Sequence, residues 1–186
     1  MPLHKTNDHD ESQPIIFRQG RTLTFFDEVN EASVGIAMRL IQIMLQESKK
    51  KPIQIMLNTP GGSVYDGLAL YDYLMTCPAP TVIIGTGLVA SMGVILLLAG
   101  DKRYLTKSAR LMTHQIATSV EGKVSDVKID YEETKALEKI CDSIVAERTK
   151  QTIKEIEKDI RKGDRYMSPD LALKKGYIHK IIDYKN

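Results

Sequence analysis

The sequence predicts an α/β protein built on a mainly parallel sheet. Two observations carry that prediction. Through the first hundred residues, short β-branched runs alternate with longer amphipathic ones, which is the pattern of βαβ units. The stretch from Leu74 to Gly100 contains no charged residue, yet glycines divide it into a strand-like piece, "TVIIG", and a helix-like piece, "ASMGVILLLAG". A length of 186 residues suits one domain with a sizeable core. Residues 15–186 are therefore expected to form a single domain, preceded by a polar, flexible arm over residues 1–14.

The elements follow in order. "RTLTFF" alternates and reads as a strand. Asn30 caps a helix running to about Ser48, with Val34, Ala37, Met38, Ile41, Met44 and Leu45 on one face. Lys49, Lys50 and Lys51 follow its end, where cations suit the helix dipole. "PIQIML" is the next strand and runs into the turn "NTPGGS". Ser63 starts a second helix through "VYDGLALYDYLM". "TVIIG" is a strand, "GTGLVAS" a glycine turn and "ASMGVILLLAG" a helix. "RYLT" and "ARLMTHQ" read as strands. Ser125 is expected to cap a long helix to about Arg148, with Val127, Tyr131, Thr134, Leu137, Cys141, Ile144 and Val145 on one stripe. Thr152 and Glu155 form a capping box for a short helix to Ile160. Ser168-Pro169 starts the last helix, Gly176 stops it, and "YIHKII" is the last strand.

Composition excludes several functions. The 26 basic and 24 acidic residues leave a net charge of +2, so neither nucleic acid nor an anionic membrane is an expected partner. Two cysteines, Cys77 and Cys141, form no CxxC pattern and with four scattered histidines suggest no metal. A reducing, cytoplasmic compartment is expected. The apolar run to Gly100 has the length of a membrane span, but Gly85, Gly87 and Gly93 interrupt it, and a strand, turn and helix account for it better.

Both glycine turns feed a helix, where ligands of open α/β sheets bind. Neither turn matches GxxxxGK[ST] or GxGxxG, so phosphate binding has little support. The glycines either make tight turns only or aim backbone N–H groups at one carbonyl oxygen. Ser91 then stands at a helix start, although Val89 occupies the first glycine position of a G-x-S-x-G elbow. A lone serine there is ordinarily a packing residue, and a lone histidine a structural one. Together, Ser91 and His114 could act as nucleophile and base. Asp101, Asp126, Asp159, Asp164 and Asp170 are all downstream, and spacing alone does not choose an orienting carboxylate among them.

"NTPGGSVYDGLALYDYLM", "ASMGVILLLAG", "RLMTHQ" and "GDRYMS", in this order and near-family spacing, resemble the proteolytic subunits of the Clp protease family across roughly residues 21 to 183. The resemblance implies the spiral of ββα units of the ClpP and crotonase type, with a protruding handle helix. It implies a serine endopeptidase with Ser91 as nucleophile, His114 as base and then acid, Asp164 rather than Asp159 as orienting carboxylate, and the backbones of Gly62 and Met92 as oxyanion donors. No cofactor or metal is implied, since ATP is consumed only by a partner unfoldase. Stacked heptameric rings are the implied assembly, joined through the handle helix, with unfolded proteins or peptides as substrates.

The chain also departs from the family pattern. Gln54 and Met56 replace the tyrosines that line the family's AAA+ unfoldase clefts, and Ile116 replaces a proline. An additional residue lies between Asp159 and Asp164, with Gly163 where the family has an arginine that helps couple the rings to the active site. These departures suit a divergent, phage-type or accessory member; a capsid-maturation protease of a virus, with the same chemistry and another substrate, is a separate reading. Competing readings are a non-catalytic ring subunit and a crotonase-type acyl-CoA enzyme.

Overall fold

A computed structural model describes residues 15–117, 121–160 and 163–183. The expected arm over residues 1–14 lies outside them. The first elements are a hairpin of β1 (Ile16–Gln19) and β2 (Thr22–Phe26), then α1 (Glu31–Glu47), β3 (Ile53–Thr59), α2 (Val64–Met75), β4 (Thr81–Ala90) and α3 (Met92–Leu98). They are followed by β5 (Lys102–Thr106), β6 (Arg110–Thr113), α4 (Val124–Arg148), α5 (Ile153–Ile160), β7 (Arg165–Met167), α6 (Pro169–Lys175) and β8 (Lys180–Ile182).

Among the described residues the strands form one sheet in the order β1-β2-β3-β4-β5-β8, with β6 added to β4 and β7 to β6. The β1–β2 and β6–β7 pairs are antiparallel, and the other pairs are parallel. The parallel pairs follow from the intervening helices, because a parallel partner needs a crossover.

Local chemistry sets most element ends. The Asn30 side chain accepts from Ser33 N–H at 2.9 Å, while Ser33 Oγ accepts from Asn30 N–H at 3.0 Å, a reciprocal capping box. Ser63 caps α2 through Asp66 N–H, and Ser168 caps α6 through Leu171 N–H. Thr152 and Glu155 exchange side-chain-to-backbone bonds at the start of α5, at 2.8 and 3.3 Å. Gly176 ends α6 at a left-handed φ of 85°. Arg21 serves the carbonyls of Met44 and Ser48 at the end of α1 and those of Lys51 and Pro52 in the segment after it.

The core lies between β2–β4 and the helices. Residues Ile53, Ile55, Leu57 and Thr59 of β3 alternate onto the buried face. Val34, Ala37, Ile41, Met44 and Leu45 of α1 meet that core, while Met38 is half-buried. Every residue of α3 is buried, which accounts for its lack of polar residues. Each fully buried Leu, Ile, Phe or Met contributes about 1.5–3 kcal/mol. Among the described residues no helix is long and apolar enough to cross a membrane.

Four expectations are corrected. First, Gly85–Ala90 is not a turn: β4 runs through it, pairing with β5 at Val82–Gly85 and with β6 at Leu88–Ala90. The glycines instead mark the change of partner, where the β3–β4 register also shifts and Asn58 Oδ1 accepts from Leu88 N–H at 2.9 Å. Second, Lys123 rather than Ser125 precedes α4, and the Ser125 hydroxyl turns to Asp126. Third, β1 and β7 were not expected; β7 exists because β6 offers it an edge. Fourth, the last strand is only Lys180–Ile182, with Tyr177 and Ile178 buried ahead of it.

The α4 stripe divides in two. Leu137, Ile144 and Val145 are buried on the body of the protein. Residues 124 to 133 are all exposed, Tyr131 at 58% and Ile129 at 66%, so the first turns project as a handle.

Candidate active site

Ser91 follows directly on β4 and precedes α3. Its φ of 53° and ψ of −123° make it the one non-glycine residue with positive φ among the described residues. Such a conformation costs of order 1–3 kcal/mol and persists only where neighbours enforce it. Here its N–H donates to Met112 O at 2.9 Å and its C=O accepts from Val94 N–H at 2.9 Å. The side chain makes no capping bond to α3. The strained turn thus presents a half-buried hydroxyl that the helix does not use.

Gly61 and Gly62 bring the PGG turn against this serine. Gly61 has φ 95°, and a Cβ there would stand 2.6 Å from Ser91 Cβ and 2.8 Å from Ala90 O. Gly62 has φ 144°, and a Cβ there would stand 2.2 Å from Val29 O. The turn is tied on both sides, since Val29 N–H donates to Gly61 O at 2.7 Å and Ser63 N–H to Val29 O at 2.8 Å. Gly61 N–H donates to Thr59 Oγ1 at 3.1 Å. Those bonds leave Gly62 N–H without a partner among the described residues. Met92 N–H, at the first position of α3, has none either, as helix geometry requires.

His114 comes immediately after β6. The β4–β6 register pairs Ala90 with Met112, so the chain beyond each strand emerges on the same side of the sheet. Ser91, His114, Gly61, Gly62 and Met92 all line one cavity of about 460 Å³. Four of the five expected site residues therefore share a cavity.

Asp164 is placed differently. It is exposed, precedes β7 and does not line the cavity. The antiparallel β6–β7 register runs Leu111↔Met167, Met112↔Tyr166, Thr113↔Arg165, and its next step sets Asp164 opposite His114. Among the described residues no hydrogen bond joins the side chains of Ser91, His114 and Asp164. The alternative carboxylate, Asp159, is engaged elsewhere, with Arg165 Nη1 at 2.6 Å and Lys175 Nζ at 2.8 Å.

Part of the cavity wall was not read from the sequence. Residues Glu138, Cys141, Asp142 and Val145 of α4 and Glu157 of α5 complete it. The signal was the i, i+3, i+4, i+7 spacing of the α4 residues, which places them on one helical face. Burial pushes the Cys141 thiol up to about 11, helped by Asp142 and Glu138, so it is not a ready nucleophile. Burial also raises the Asp142 carboxyl above its ordinary range, as do Glu138 and Glu157, against the lowering effect of Lys135. Among the described residues no group of three or more His, Cys, Asp or Glu gathers as metal ligands would.

The Clp protease family model matches residues 10–185. That span is nearly the whole chain, and peptidase activity goes with the family. A mixed α/β fold, a strained serine and a glycine turn against it accompany the match. The chain belongs to the Clp protease family.

Proposed function

We propose that the protein is a serine endopeptidase that works through an acyl-enzyme. One observation carries the reading: strained Ser91 shares a cavity with His114 and with the unpartnered N–H groups of Gly62 and Met92. Ser91 Oγ attacks the peptide carbonyl as His114 takes its proton. The carbonyl oxygen gains negative charge and accepts from Gly62 and Met92 N–H, a pair in which each donor is worth about 10²–10³ in turnover. His114 gives the proton to the leaving amine, and water, activated by the same imidazole, releases the acyl group. Asp164 holds the imidazole tautomer once the β6–β7 pairing extends by one step. No cofactor enters these steps.

The substrates are unfolded proteins or peptides, degraded in the cytoplasm inside a chamber of stacked heptameric rings. The exposed apolar residues Val127, Ile129 and Tyr131 of the handle support a ring-to-ring contact. An AAA+ unfoldase would meet Gln54 and Met56, half-buried on β3, in place of family tyrosines. Any ATP is spent by that partner.

A non-catalytic ring subunit is the second reading, favoured by the absence of hydrogen bonds among Ser91, His114 and Asp164. A crotonase-type acyl-CoA enzyme is the third. Intact-mass measurement after a fluorophosphonate probe separates them. One adduct that Ser91→Ala lacks establishes an activated serine and removes both rivals. No adduct in any assembly state removes the peptidase.

A further inference from the structure

The cavity beside Ser91 has two unlike walls. Met92, Val94 and Ile95 of α3, with Ile116, make one side apolar. The facing side is α4, whose Glu138 and Asp142 are half-buried, joined by half-buried Glu157 of α5. The two lysines at this wall, Lys135 and Lys139, are exposed, and Lys135 is paired with Glu138 at 3.6 Å. Carboxylates and lysines thus line the same cavity, the carboxylates more covered than the ammonium-bearing side chains. Asp142 itself makes no salt bridge or hydrogen bond among the described residues, and Lys135 acts on it only from a distance that leaves its carboxyl raised. Burial and two neighbouring carboxyls disfavour its ionised form more than Lys135 favours it, and a further cation in the cavity would relieve that cost.

We infer that Asp142 sets the specificity of this site, selecting a substrate whose residue on the acyl side of the cleaved bond is lysine or arginine. The aliphatic stem of such a side chain lies along the apolar α3 wall, and its charged end reaches Asp142. A cavity of about 460 Å³ has room for either. A purely apolar side chain would leave the Asp142 carboxylate desolvated and unpaired, and an acidic one would add repulsion. The inference rests on the peptidase reading above.

The test uses the full chain and fluorogenic peptides identical except for Lys, Leu or Glu before the cleaved bond. Fluorophosphonate labelling of Ser91 is measured in parallel. The expected order of kcat/KM is Lys above Leu above Glu, with Lys over Glu by at least about tenfold. Asp142→Asn lowers the Lys-to-Leu ratio by roughly tenfold. Asp142→Lys reverses the order of Lys and Glu, a gain that misfolding cannot produce. A labelled, active protein that prefers Leu, or whose ratios survive both substitutions, overturns the inference and leaves the peptidase standing. A protein neither labelled nor active overturns both.

Discussion

At Ser91 the backbone does work that the serine type alone does not announce. A positive φ is tolerated because Met112 O and Val94 N–H hold both sides of the residue, and because Gly61 leaves room beside its Cβ. Removing the hydroxyl should abolish hydrolysis: Ser91→Ala is expected to lose about 10⁴–10⁶ in kcat, read with any peptide the wild type cleaves. Gly61→Ala is a subtler test. Its Cβ would need the 2.6 Å gap to Ser91 Cβ to open, and it would hold an unfavourable φ of 95°. Moving a reacting atom by about 1 Å can cost about 10²-fold. Slowed fluorophosphonate labelling by that order, with circular dichroism unchanged, is the expected outcome. Labelling at the wild-type rate would mean that the turn does not position the serine.

At the scale of elements, α4 serves two ends. Its C-terminal turns are part of the core through Ile144 and Val145, and its N-terminal turns stand in solvent. Ile144→Ala is therefore expected to destabilise the fold by about 2–5 kcal/mol in denaturant titrations. Ile129→Ala should stay within about 0.5 kcal/mol. If the proposed rings form through this stripe, Tyr131→Asp is expected to shrink the assembly in sedimentation velocity, since it puts a charge there. An unchanged assembly would remove the handle from the ring contact. The β6–β7 pair is the other element with a functional consequence. Its register stops at Thr113↔Arg165, one step short of His114 and Asp164. Arg165 is held there by Asp159 at 2.6 Å.

Across the whole molecule, buried Arg103 and half-buried Arg148 join distant parts of the chain. Arg103, 5% exposed, donates to the carbonyls of Tyr177, Arg148 and Gly176, and Arg148 donates to Leu98 and Gly100. The ends of α3, α4 and α6 are thereby tied to β5. Burial, with Arg148 nearby, brings Arg103 down to about 10. His179 lies against this pair: its Nδ1 accepts from Arg103 N–H at 3.2 Å, and desolvation, Arg103 and Arg148 lower its pKa from 6.5. A depressed histidine pKa contributes stability that is present above the unfolded value and lost as pH falls through the folded one. The melting temperature is thus expected to drop as pH is lowered below about 6.5, and His179→Gln should flatten that slope. Melting curves between pH 8 and 5 check it. An identical slope in the variant would assign the loss to other groups.

What could be read in advance was whatever local chemistry fixes. Asn30, Ser63, Thr152 and Ser168 capped the helices they were expected to cap, because a cap bonds to backbone within three residues. The alternation of β3 and the apolar face of α1 likewise depend only on nearby sequence. The motif residues around Ser91, His114 and the PGG turn sufficed for the family. Other features depended on partners far along the chain. Gly85 to Ala90 looked like a turn because glycine and uncharged residues say nothing about pairing, yet β6 extends β4 through them. β7 is three residues long and exists only because β6 supplies its hydrogen bonds. The acidic wall of the cavity required α4 to pack on α3 and α5 to pack on α4. Sequence alone determined the helices, most of their caps, the main strands and the family. Tertiary structure decided which strands pair, which faces are covered and which groups surround Ser91, because those outcomes depend on contacts between residues remote in sequence.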